Sequence, residues 1–363
     1  MSDTRKQTVV VGMSGGVDSS VSALLLKEQG FHVIGMFMKN WEETNAEGTC
    51  SSTKDFEDVV RVCEKIDIPY YSVNFVKEYW DHVFTHFLDE LKLGFTPNPD
   101  ILCNREIKFQ LFFQKALQVG ADFLATGHYC QIPSHTKPTL VKGADPEKDQ
   151  TYFLYTIKQK ILEKVLFPIG HLPKKEVRAL AAKHGLATAE KKDSTGICFI
   201  GKRNFKEFIS KYIPYQKGPF LSLEGKKLGD HEGMAYYTIG QRKGLGIGGP
   251  GDAWFVADKN ADLNAVYLVQ GEEHPALYSY ELTAIEPSWI NEIPTFPLTC
   301  KAKIRYRQVD QSCVVEKGEN NSLLVKFSSP QRAITPRQSI VFYEGDLCLG
   351  GAIIQKRGLS LFQ

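Results

Sequence analysis

The sequence contains no apolar run that approaches the roughly 18–20 residues of a membrane-spanning helix, so we expect no membrane association. Its first residues lead directly into a predicted strand, which leaves no room for a signal peptide. We therefore expect a cytosolic protein. Its eight cysteines include no C-x-x-C pair, which argues against a zinc ribbon or a thioredoxin-like motif. In the reducing cytosol they are thiols by default.

The sequence also lacks a strong net charge of either sign. A net charge of only +2 does not indicate whether the protein binds a polyanion or any other charged partner. It contains no internal repeat and no low-complexity tract. A hydrophobic content of 42% with 24% charged residues is typical of a globular protein. At 363 residues the chain exceeds one ordinary core, so we expect two or three domains.

The first part of the chain alternates predicted strands and helices. Val9, Val10 and Val11 indicate a short buried strand, and the apolar run from residue 21 begins a helix that Gly30 can end. Further strands are predicted over residues 32–39, 70–75 and 122–126, and helices over residues 53–66, 79–93 and 105–119. Repeated βα units predict a parallel sheet covered by helices, with the ligand at the carboxyl ends of the strands.

The rest of the chain changes from helical to β-rich patterns. Helices are predicted over residues 148–154, 158–167 and 174–184; Pro173 begins the third and Gly185 ends it. Short β-rich runs follow over residues 236–239, 254–257, 265–268, 300–306, 312–315, 322–327, 339–342 and 350–355. We predict an α/β domain over residues 1–215, then two small antiparallel β domains, a central one over 216–276 and a β-barrel over 280–363.

One glycine-rich stretch imitates a dinucleotide-binding motif. Residues 244–249 match G-x-G-x-x-G, but no clear strand precedes them, and Pro250 and Gly251 follow where a helix would have to begin. We interpret this stretch as a loop of the β-rich region.

A second glycine-rich stretch lies in the right context for binding phosphate. Ser14 to Ser19 spell S-G-G-x-D-S between the first strand and the first helix. A strand, a glycine turn and a helix N-terminus gather free backbone N–H groups and the positive end of the helix dipole. Gly15 and Gly16 allow close approach and positive φ. The alternative interpretation is a serine–glycine turn capped by Asp18.

The type of phosphate chemistry follows from a missing lysine. A Walker loop ends in Gly-Lys-Ser/Thr, whereas Val17 and Asp18 follow Gly16 here. The S-G-G-x-D-S loop resembles that of the ATP pyrophosphatases, the PP-loop family. That resemblance implies cleavage of ATP between the α- and β-phosphates, with AMP left on a substrate carbonyl oxygen.

Two cysteines have settings unlike the others. Cys103 follows a loop stiffened by Pro97 and Pro99, and Asn104 can cap the predicted helix after it. A thiol at a helix N-terminus beside Arg105 is biased toward the nucleophilic thiolate. Cys198 lies where a polar glycine turn runs into an apolar segment. We interpret the five cysteines 63, 130, 300, 313 and 348 as small buried hydrophobic residues.

A cationic run gives independent support for a nucleic-acid partner. If residues 301–307 form a strand, Lys301, Lys303, Arg305 and Arg307 share one face. A face of one charge repels itself and invites a polyanion, although many cationic runs are only solvated.

Several motifs together resemble the tRNA-specific 2-thiouridylase family (MnmA/TrmU). They are the PP-loop, Asn98-Pro99-Asp100 before Cys103, Thr126-Gly127-His128-Tyr129, Lys148-Asp149-Gln150, the Asp193-to-Gly201 segment that contains Cys198, Gly240-Gln241-Arg242-Lys243-Gly244-Leu245-Gly246 and Arg305-Tyr306-Arg307-Gln308. The resemblance runs in one order from about residue 7 to 356. It implies an enzyme that replaces O2 of the wobble uridine of certain tRNAs with sulfur.

The resemblance also implies roles for individual residues. Cys198 would carry a persulfide sulfur, Cys103 would be the second nucleophile, and the two would form a transient disulfide. Asp100 would serve as acid/base, or alternatively as a structural turn residue. The ATP-binding residues would be Gly12, Met13, Ser14, Gly15, Gly16, Val17, Asp18 and Ser19, with Met38 and Gly127. The residues that contact tRNA or its target base would be Asn98, Pro99, Asp100, His128, Lys148, Asp149, Gln150, Arg305, Tyr306 and Gln338.

The implied reactants are ATP with Mg²⁺, a tRNA with a wobble uridine, and a persulfide sulfur donor protein. An iron–sulfur cluster on Cys103 and Cys198 stays an open alternative. So do a different PP-loop enzyme acting on a small molecule and a non-catalytic RNA-binding protein. ATP–pyrophosphate exchange separates an enzyme from the non-catalytic alternative.

Overall fold

The computed structural model describes residues 6–42, 51–133, 137–193 and 204–362, with the side chains of residues 51 and 52 left aside. The chain falls into two compact units. Unit 1 comprises residues 1–83, 100–201 and 346–349, and unit 2 comprises residues 84–99, 202–345 and 350–363. The predicted boundaries near residues 215 and 280 stay a prediction.

Unit 1 is built on a five-stranded parallel sheet with the order β3-β2-β1-β4-β7. Its strands are β1 (Thr8–Met13), β2 (His32–Lys39), β3 (Tyr70–Asn74), β4 (Phe123–Thr126) and β7 (Val165–Leu166). A short hairpin of β5 (Cys130–Gln131) and β6 (Leu140–Lys142) lies outside this sheet. Val9, Val10 and Val11 are fully buried, as expected for a central strand covered on both faces.

Helices follow the strands, and two helical segments continue through a π-helical stretch. The helices of unit 1 are α1 (Val17–Glu28), α2 (Ser51–Lys65), α6 (Phe113–Gln118), α7 (Thr151–Leu154), α8 (Gln159–Leu162) and α9 (Lys174–Lys183). Unit 1 also contains α3 (Val76–Tyr79) and the π-helical Cys103–Phe112, which continues α5 (Pro99–Leu102). The π-helical Trp80–Phe84 leads from α3 into α4 (Thr85–Lys92), and α4 and α10 (Phe205–Ile209) belong to unit 2. Gly30 (φ +90°) and Gly185 (φ +63°) follow the ends of α1 and α9, as predicted.

Unit 2 contains a small sheet and a closed barrel. The small sheet has the order β10-β11-β8-β9, formed by β8 (Gly218–Leu221), β9 (Lys227–His231), β10 (Trp254–Asn260) and β11 (Ala265–Gln270). The six barrel strands are β12 (Tyr278–Trp289), β13 (Leu298–Lys303), β14 (Gln311–Lys317), β15 (Leu323–Arg332), β16 (Ser339–Glu344) and β17 (Leu347–Arg357). Pairing of β12 with β17 closes the barrel. The fold class is therefore as predicted.

Several local predictions of secondary structure are wrong, including the helix over residues 148–154, which begins only at Thr151. Residues 158–167 form the short helix α8 and then strand β7, because Val165 and Leu166 pair beside β4. Residues 236–239 form no strand: Tyr236 ends a 3₁₀ turn instead. The small sheet is not purely antiparallel, because β8 and β11 run parallel. The helix predicted from residue 105 already begins at Pro99.

Within the residues that the structure describes, no helix combines the length and the apolar character needed to cross a membrane. Residues 244–249 have no regular secondary structure, as predicted for a loop.

Candidate active site

The glycine loop connects β1 to α1 at the carboxyl end of the parallel sheet. Gly15 has φ +72°, and a Cβ there would lie 2.5 Å from the backbone oxygen of Asp55, so this position requires glycine. Gly16 is the N-cap of α1 with φ −100°, so its predicted positive φ is wrong. Asp18 is the second residue of α1, and its carboxylate accepts hydrogen bonds from Tyr129 and Lys174, which disfavours the alternative of a turn capped by Asp18. The first N–H groups of α1 have no partner within the helix and can bind phosphate.

Serine side chains tie the loop together. The Ser14 backbone N–H donates to Ser19 Oγ (3.2 Å), and the hydroxyls of Ser19 and Ser20 donate to the Gly16 carbonyl (3.1 and 2.8 Å). Ser14 itself is exposed, whereas Ser19 and Ser20 are buried. The loop is thereby held in a fixed conformation before any ligand enters.

The other predicted nucleotide-binding residues lie at the carboxyl ends of the two strands beside β1. Met38 lies near the end of β2, and Gly127 comes directly after β4. A Cβ on Gly127 would lie 2.7 Å from the Ser19 nitrogen and 2.8 Å from the Asp18 carbonyl carbon. The chain at residue 127 therefore packs directly on the start of α1, and the structure brings these two predicted segments together.

Asp18 is held by two residues that sequence reasoning did not assign to the site. The Tyr129 hydroxyl donates to Asp18 Oδ1 (2.7 Å), and Lys174 Nζ donates to both carboxylate oxygens (2.7 and 2.8 Å). Burial, followed by the Asp18 carboxylate, raises the pKa of Tyr129 above its usual range. Tyr129 therefore stays protonated and remains a donor. Its position after His128 was the only sequence signal, and nothing in the spacing marked Lys174.

Asp193 joins this group through Lys174 and two further cations. It accepts from Lys148 Nζ (2.8 Å) and Arg178 Nη2 (2.6 Å), and it lies 2.9 Å from Lys174 Nζ. Burial alone would raise the pKa of Asp193, but hydrogen bonds and charge from Lys148 and Lys174 outweigh it and lower the pKa to about 2. Asp193 is the last described residue before the segment that contains Cys198.

The predicted tRNA contacts at residues 148–150 are engaged inside unit 1. Lys148 binds Asp193, as above. Asp149 is buried, and its Oδ1 accepts from Thr151 Oγ1 (2.9 Å) and the Gly143 N–H (3.3 Å). Gln150 Oε1 accepts from the Tyr129 N–H (2.9 Å). This triplet therefore supports the Tyr129 segment, and its contacts with tRNA stay a prediction.

His128 is neutral and tightly placed. Its Nδ1 lies 2.7 Å from Thr126 Oγ1, and its ring packs between Phe109 and Phe167. Burial, with the charge of Lys108 as a smaller cause, lowers the pKa of His128 well below its usual range. The side chain can therefore accept or donate one hydrogen bond but carries no charge for a phosphate.

Cys103 is buried at the start of the π-helical stretch, with an exposed fraction of 2%. Because the helix begins at Pro99, Cys103 lies one turn inside it, and the prediction of a thiol at the helix N-terminus is wrong in this detail. Asn104 does not act as the predicted cap: its Nδ2 donates to the Phe153 carbonyl (3.1 Å). Cys198 lies outside the described residues, as does the proposed Cys103–Cys198 pairing.

The remaining cysteines of the described part are buried, as predicted. Burial, with a smaller contribution from Glu64, raises the pKa of Cys63 to about 12, so this thiol does not ionise near neutral pH.

The predicted base-contact residues lie around the start of α5. Asn98 and Pro99 belong to unit 2, and Asp100 is the next residue along the chain. Within unit 2, Gln338 Nε2 donates to the carbonyl of Thr96, two residues before Asn98. The structure therefore places one predicted tRNA contact, Gln338, beside the segment that carries two others.

The predicted basic strand face is wrong. Strand β13 ends at Lys303, and Arg307 has φ +63°, so the four cations do not alternate along one strand. Arg305 Nη2 instead donates to the Ile239 and Ala333 carbonyls (2.8 and 3.0 Å) and to Thr335 Oγ1 (3.1 Å). Arg305 thus clamps two loops of unit 2. Tyr306 is half-buried and lies beside the Arg307 guanidinium (5.6 Å to the ring centroid).

Models of known protein families match three consecutive parts of the chain. The tRNA methyl transferase HUP domain matches residues 7–202, which is more than half of the chain. The tRNA methyl transferase PRC-barrel domain matches residues 206–270, and the aminomethyltransferase β-barrel domain matches residues 279–354.

The chain is similar to curated proteins over nearly its whole length. A tRNA-specific 2-thiouridylase MnmA of Protochlamydia amoebophila is 61% identical over 98% of this chain and 96% of its own. One from Halalkalibacterium halodurans is 58% identical over 95% of this chain and 94% of its own. One from Alkaliphilus oremlandii is 57% identical over 98% and 99%. The chain therefore belongs to the family of the tRNA-specific 2-thiouridylases named MnmA.

Proposed function

We propose that this protein is a tRNA-uridine 2-sulfurtransferase, which replaces O2 of a wobble uridine with sulfur at the cost of ATP. The observation that carries the proposal is the glycine loop before α1, in which Val17 and Asp18 follow Gly16 where a Walker loop continues with lysine. Membership of the MnmA family supports the same activity. A loop of this kind suits adenylation of a carbonyl oxygen better than phosphoryl transfer.

In the first step, ATP binds at the loop of residues 12–19, with Met38 and Gly127 from the neighbouring strand ends. Uridine O2 attacks the α-phosphorus, and the bond from that phosphorus to the bridging oxygen of the β-phosphate breaks. Pyrophosphate leaves with the electron pair, and AMP is left on O2. The adenylate turns a poor leaving group into a good one. Mg²⁺ bound to ATP would offset the phosphate charge.

In the second step, a persulfide on Cys198 delivers its outer sulfur to C2, and AMP departs with the former O2. Cys103 attacks the inner sulfur of Cys198, which frees the product sulfur and leaves a Cys103–Cys198 disulfide. An external thiol reductant then restores both cysteines. Such a disulfide requires the two Cα atoms to come within about 7 Å in at least one state.

Recognition of the tRNA falls to other residues in this proposal. Asn98, Pro99 and Asp100 contact the target base, which must be extruded because stacking hides its C2 carbonyl. Asp100 is the acid/base candidate. Further contacts come from His128, Lys148, Asp149, Gln150, Arg305, Tyr306 and Gln338. A cytosolic protein that carries a persulfide is the partner that supplies sulfur.

The test is mass spectrometry of nucleosides from tRNA incubated with the protein, ATP and a persulfide source. We expect 2-thiouridine only when all components are present, with AMP and pyrophosphate as the nucleotide products. ADP and phosphate as main products would contradict the proposal. Cys103→Ser and Cys198→Ser are each expected to abolish thiolation, whereas Cys63→Ala, which removes a buried thiol of raised pKa, serves as the control. Thiolation by the Cys198→Ser protein refutes the persulfide role.

The same preparation tests the cluster alternative. Iron and labile sulfide are measured after anaerobic purification, together with thiolation. Activity in a metal-free sample supports the persulfide route, whereas activity that depends on bound iron supports a cluster on Cys103 and Cys198.

A further inference from the structure

The ammonium of Lys174 reaches the glycine loop from a distant part of the sequence. Lys174 is the first residue of α9, and its side chain is only 11% exposed. Its Nζ lies within hydrogen-bond distance of both oxygens of Asp18, the second residue of α1. The loop that lacks a lysine in its own sequence is therefore supplied with one from another helix.

The position of Lys174 is fixed at its backbone as well as at its end. Its backbone N–H donates to Asp145 Oδ2 (2.9 Å), and Pro173 precedes it as the N-cap of α9. Val177 and Ala181 on the same helix are fully buried in one core cluster with Val21 of α1. Packing of α9 on the core around α1 thus sets where the ammonium lies.

Three acceptors saturate this ammonium. Two are the oxygens of Asp18, and the third is Asp193 Oδ1 at 2.9 Å. The Tyr129 ring lies against it, with 5.6 Å between Nζ and the ring centroid. With Lys148 and Arg178 also on Asp193, three cations face two carboxylates, so this group carries a net positive charge beside the phosphate-binding loop.

We propose that Lys174 is a phosphate-contact residue that stabilises the departing pyrophosphate during adenylation. The inference rests on the proposed function and names a further residue for it. Asp18 would hold a hard cation that accompanies the nucleotide, because such cations prefer carboxylate oxygens. The two N–H groups of Lys174 that donate to Asp18 would then be free to donate to oxygens of the β-phosphate.

The chemical step needs a cation at this point. As the bond between the α-phosphorus and the bridging oxygen breaks, negative charge grows on the β-phosphate. Lys174 donates hydrogen bonds to that charge and keeps its proton, while the electron pair stays with pyrophosphate. A preorganised donor of this kind acts more strongly in the transition state than in the ground state.

The first experiment measures AMP formation by the full-length protein with tRNA, ATP and a persulfide source. Lys174→Met is expected to lower kcat by about 100-fold or more, the usual loss for one charge-stabilising donor. Its affinity for inorganic pyrophosphate is also expected to fall. Lys174→Arg is expected to recover part of both. The control is Lys175→Met, which removes the next, exposed lysine. AMP formation by Lys174→Met at the wild-type rate would overturn the inference.

A second variant allows for loss of folding. Lys174→Met leaves Asp18 and Asp193 without their shared cation, so Lys174→Gln is measured beside it, because its amide removes the charge and keeps a hydrogen-bond donor. Wild-type pyrophosphate affinity in the folded Lys174→Gln protein also overturns the inference.

Failure of the proposed function has a different signature, because the wild-type protein would then form no AMP.

Discussion

Asp193 is the carboxylate that pairs with three cationic side chains of unit 1. Lys148, Lys174 and Arg178 converge on it, so its charged form is favoured in the folded protein. Its pKa falls from an ordinary 3.8 to about 2, although burial acts in the opposite direction. Because the folded-state pKa is lowered, the stabilisation is present above pH 3.8 and is lost as the pH falls toward 2.

We therefore expect Asp193→Asn to destabilise the protein near neutral pH, and the difference from wild type to shrink between about pH 4 and pH 2. Urea unfolding at a series of pH values measures both proteins. A difference that is independent of pH over this range would show that the charge of Asp193 does not contribute to stability.

Arg305 leads to a second expectation at the residue scale. Its side chain donates to three acceptors in two loops of unit 2, and Arg305→Ala removes all three hydrogen bonds. We expect a loss of about 1.5–3 kcal/mol in the free energy of unfolding, as for hydrogen bonds to a charged group. Lys301→Ala, which removes an exposed cation of β13, is expected to change it little. Equal effects of the two changes would contradict the clamp.

The sequence predicted the residues of the glycine loop but not its ion-pair partners. The S-G-G-x-D-S motif between a strand and a helix can be recognised from the sequence alone, because the turn requires glycine at position 15, where φ is positive. Lys174 and Asp193 have no such signal, since only the packing of α9 brings them to Asp18. The hydrogen bonds by which Arg305 joins two loops had no sequence signal either, and its contact with tRNA stays a prediction.

At the scale of elements, the parallel strands were the easiest to predict. β2 was predicted at its observed bounds because a continuous apolar run marks a strand buried on both faces. β7 was missed because a strand of two residues is too short to show an alternation of apolar and polar side chains. Only its pairing with β4 defines it. β13 was extended too far because a period of two continues past Lys303, where the backbone turns away.

The junction of β4 with α1 provides an expectation at this scale. A methyl group at Gly127 would meet backbone atoms of Asp18 and Ser19, which cannot move without displacing the start of α1. We expect Gly127→Ala to weaken ATP binding by about tenfold or more, because overpacking costs about 1–3 kcal/mol. Isothermal titration calorimetry measures the affinity.

The control for this change is Gly248→Ala, because a Cβ at Gly248 would meet nothing within 4 Å. Its ATP affinity is expected to stay at the wild-type value. Unchanged affinity in Gly127→Ala would show that this contact does not shape the nucleotide site.

At the scale of the whole molecule, the glycine loop lies in unit 1, whereas Gln338 and Thr96, to which it donates, lie in unit 2. Near residue 215 the predicted elements change from alternating strands and helices to short β-rich runs. The structure has the same order, an α/β part followed by a β-rich part. The inclusion of residues 84–99 in unit 2 had no sequence signal, because contacts distant in the chain define it.

Separate units predict separable binding. Gln338→Ala removes the hydrogen bond to Thr96, close to the proposed base-contact residues, so we expect weaker tRNA binding with unchanged ATP affinity. Gln355→Ala is the matched control, because Gln355 is exposed on β17 and only accepts a long 3.4 Å bond from Thr283. Filter binding to tRNA and calorimetry with ATP distinguish the two. A parallel loss of both affinities in Gln338→Ala would contradict separable binding.

An isotope experiment tests directly whether ATP activates O2 of the wobble uridine. A tRNA that carries ¹⁸O at O2 of that uridine is incubated with the protein, ATP and a persulfide source, and the AMP is analysed by mass spectrometry. We expect one ¹⁸O atom in AMP for each 2-thiouridine formed. Thiolated tRNA accompanied by unlabelled AMP would contradict this expectation.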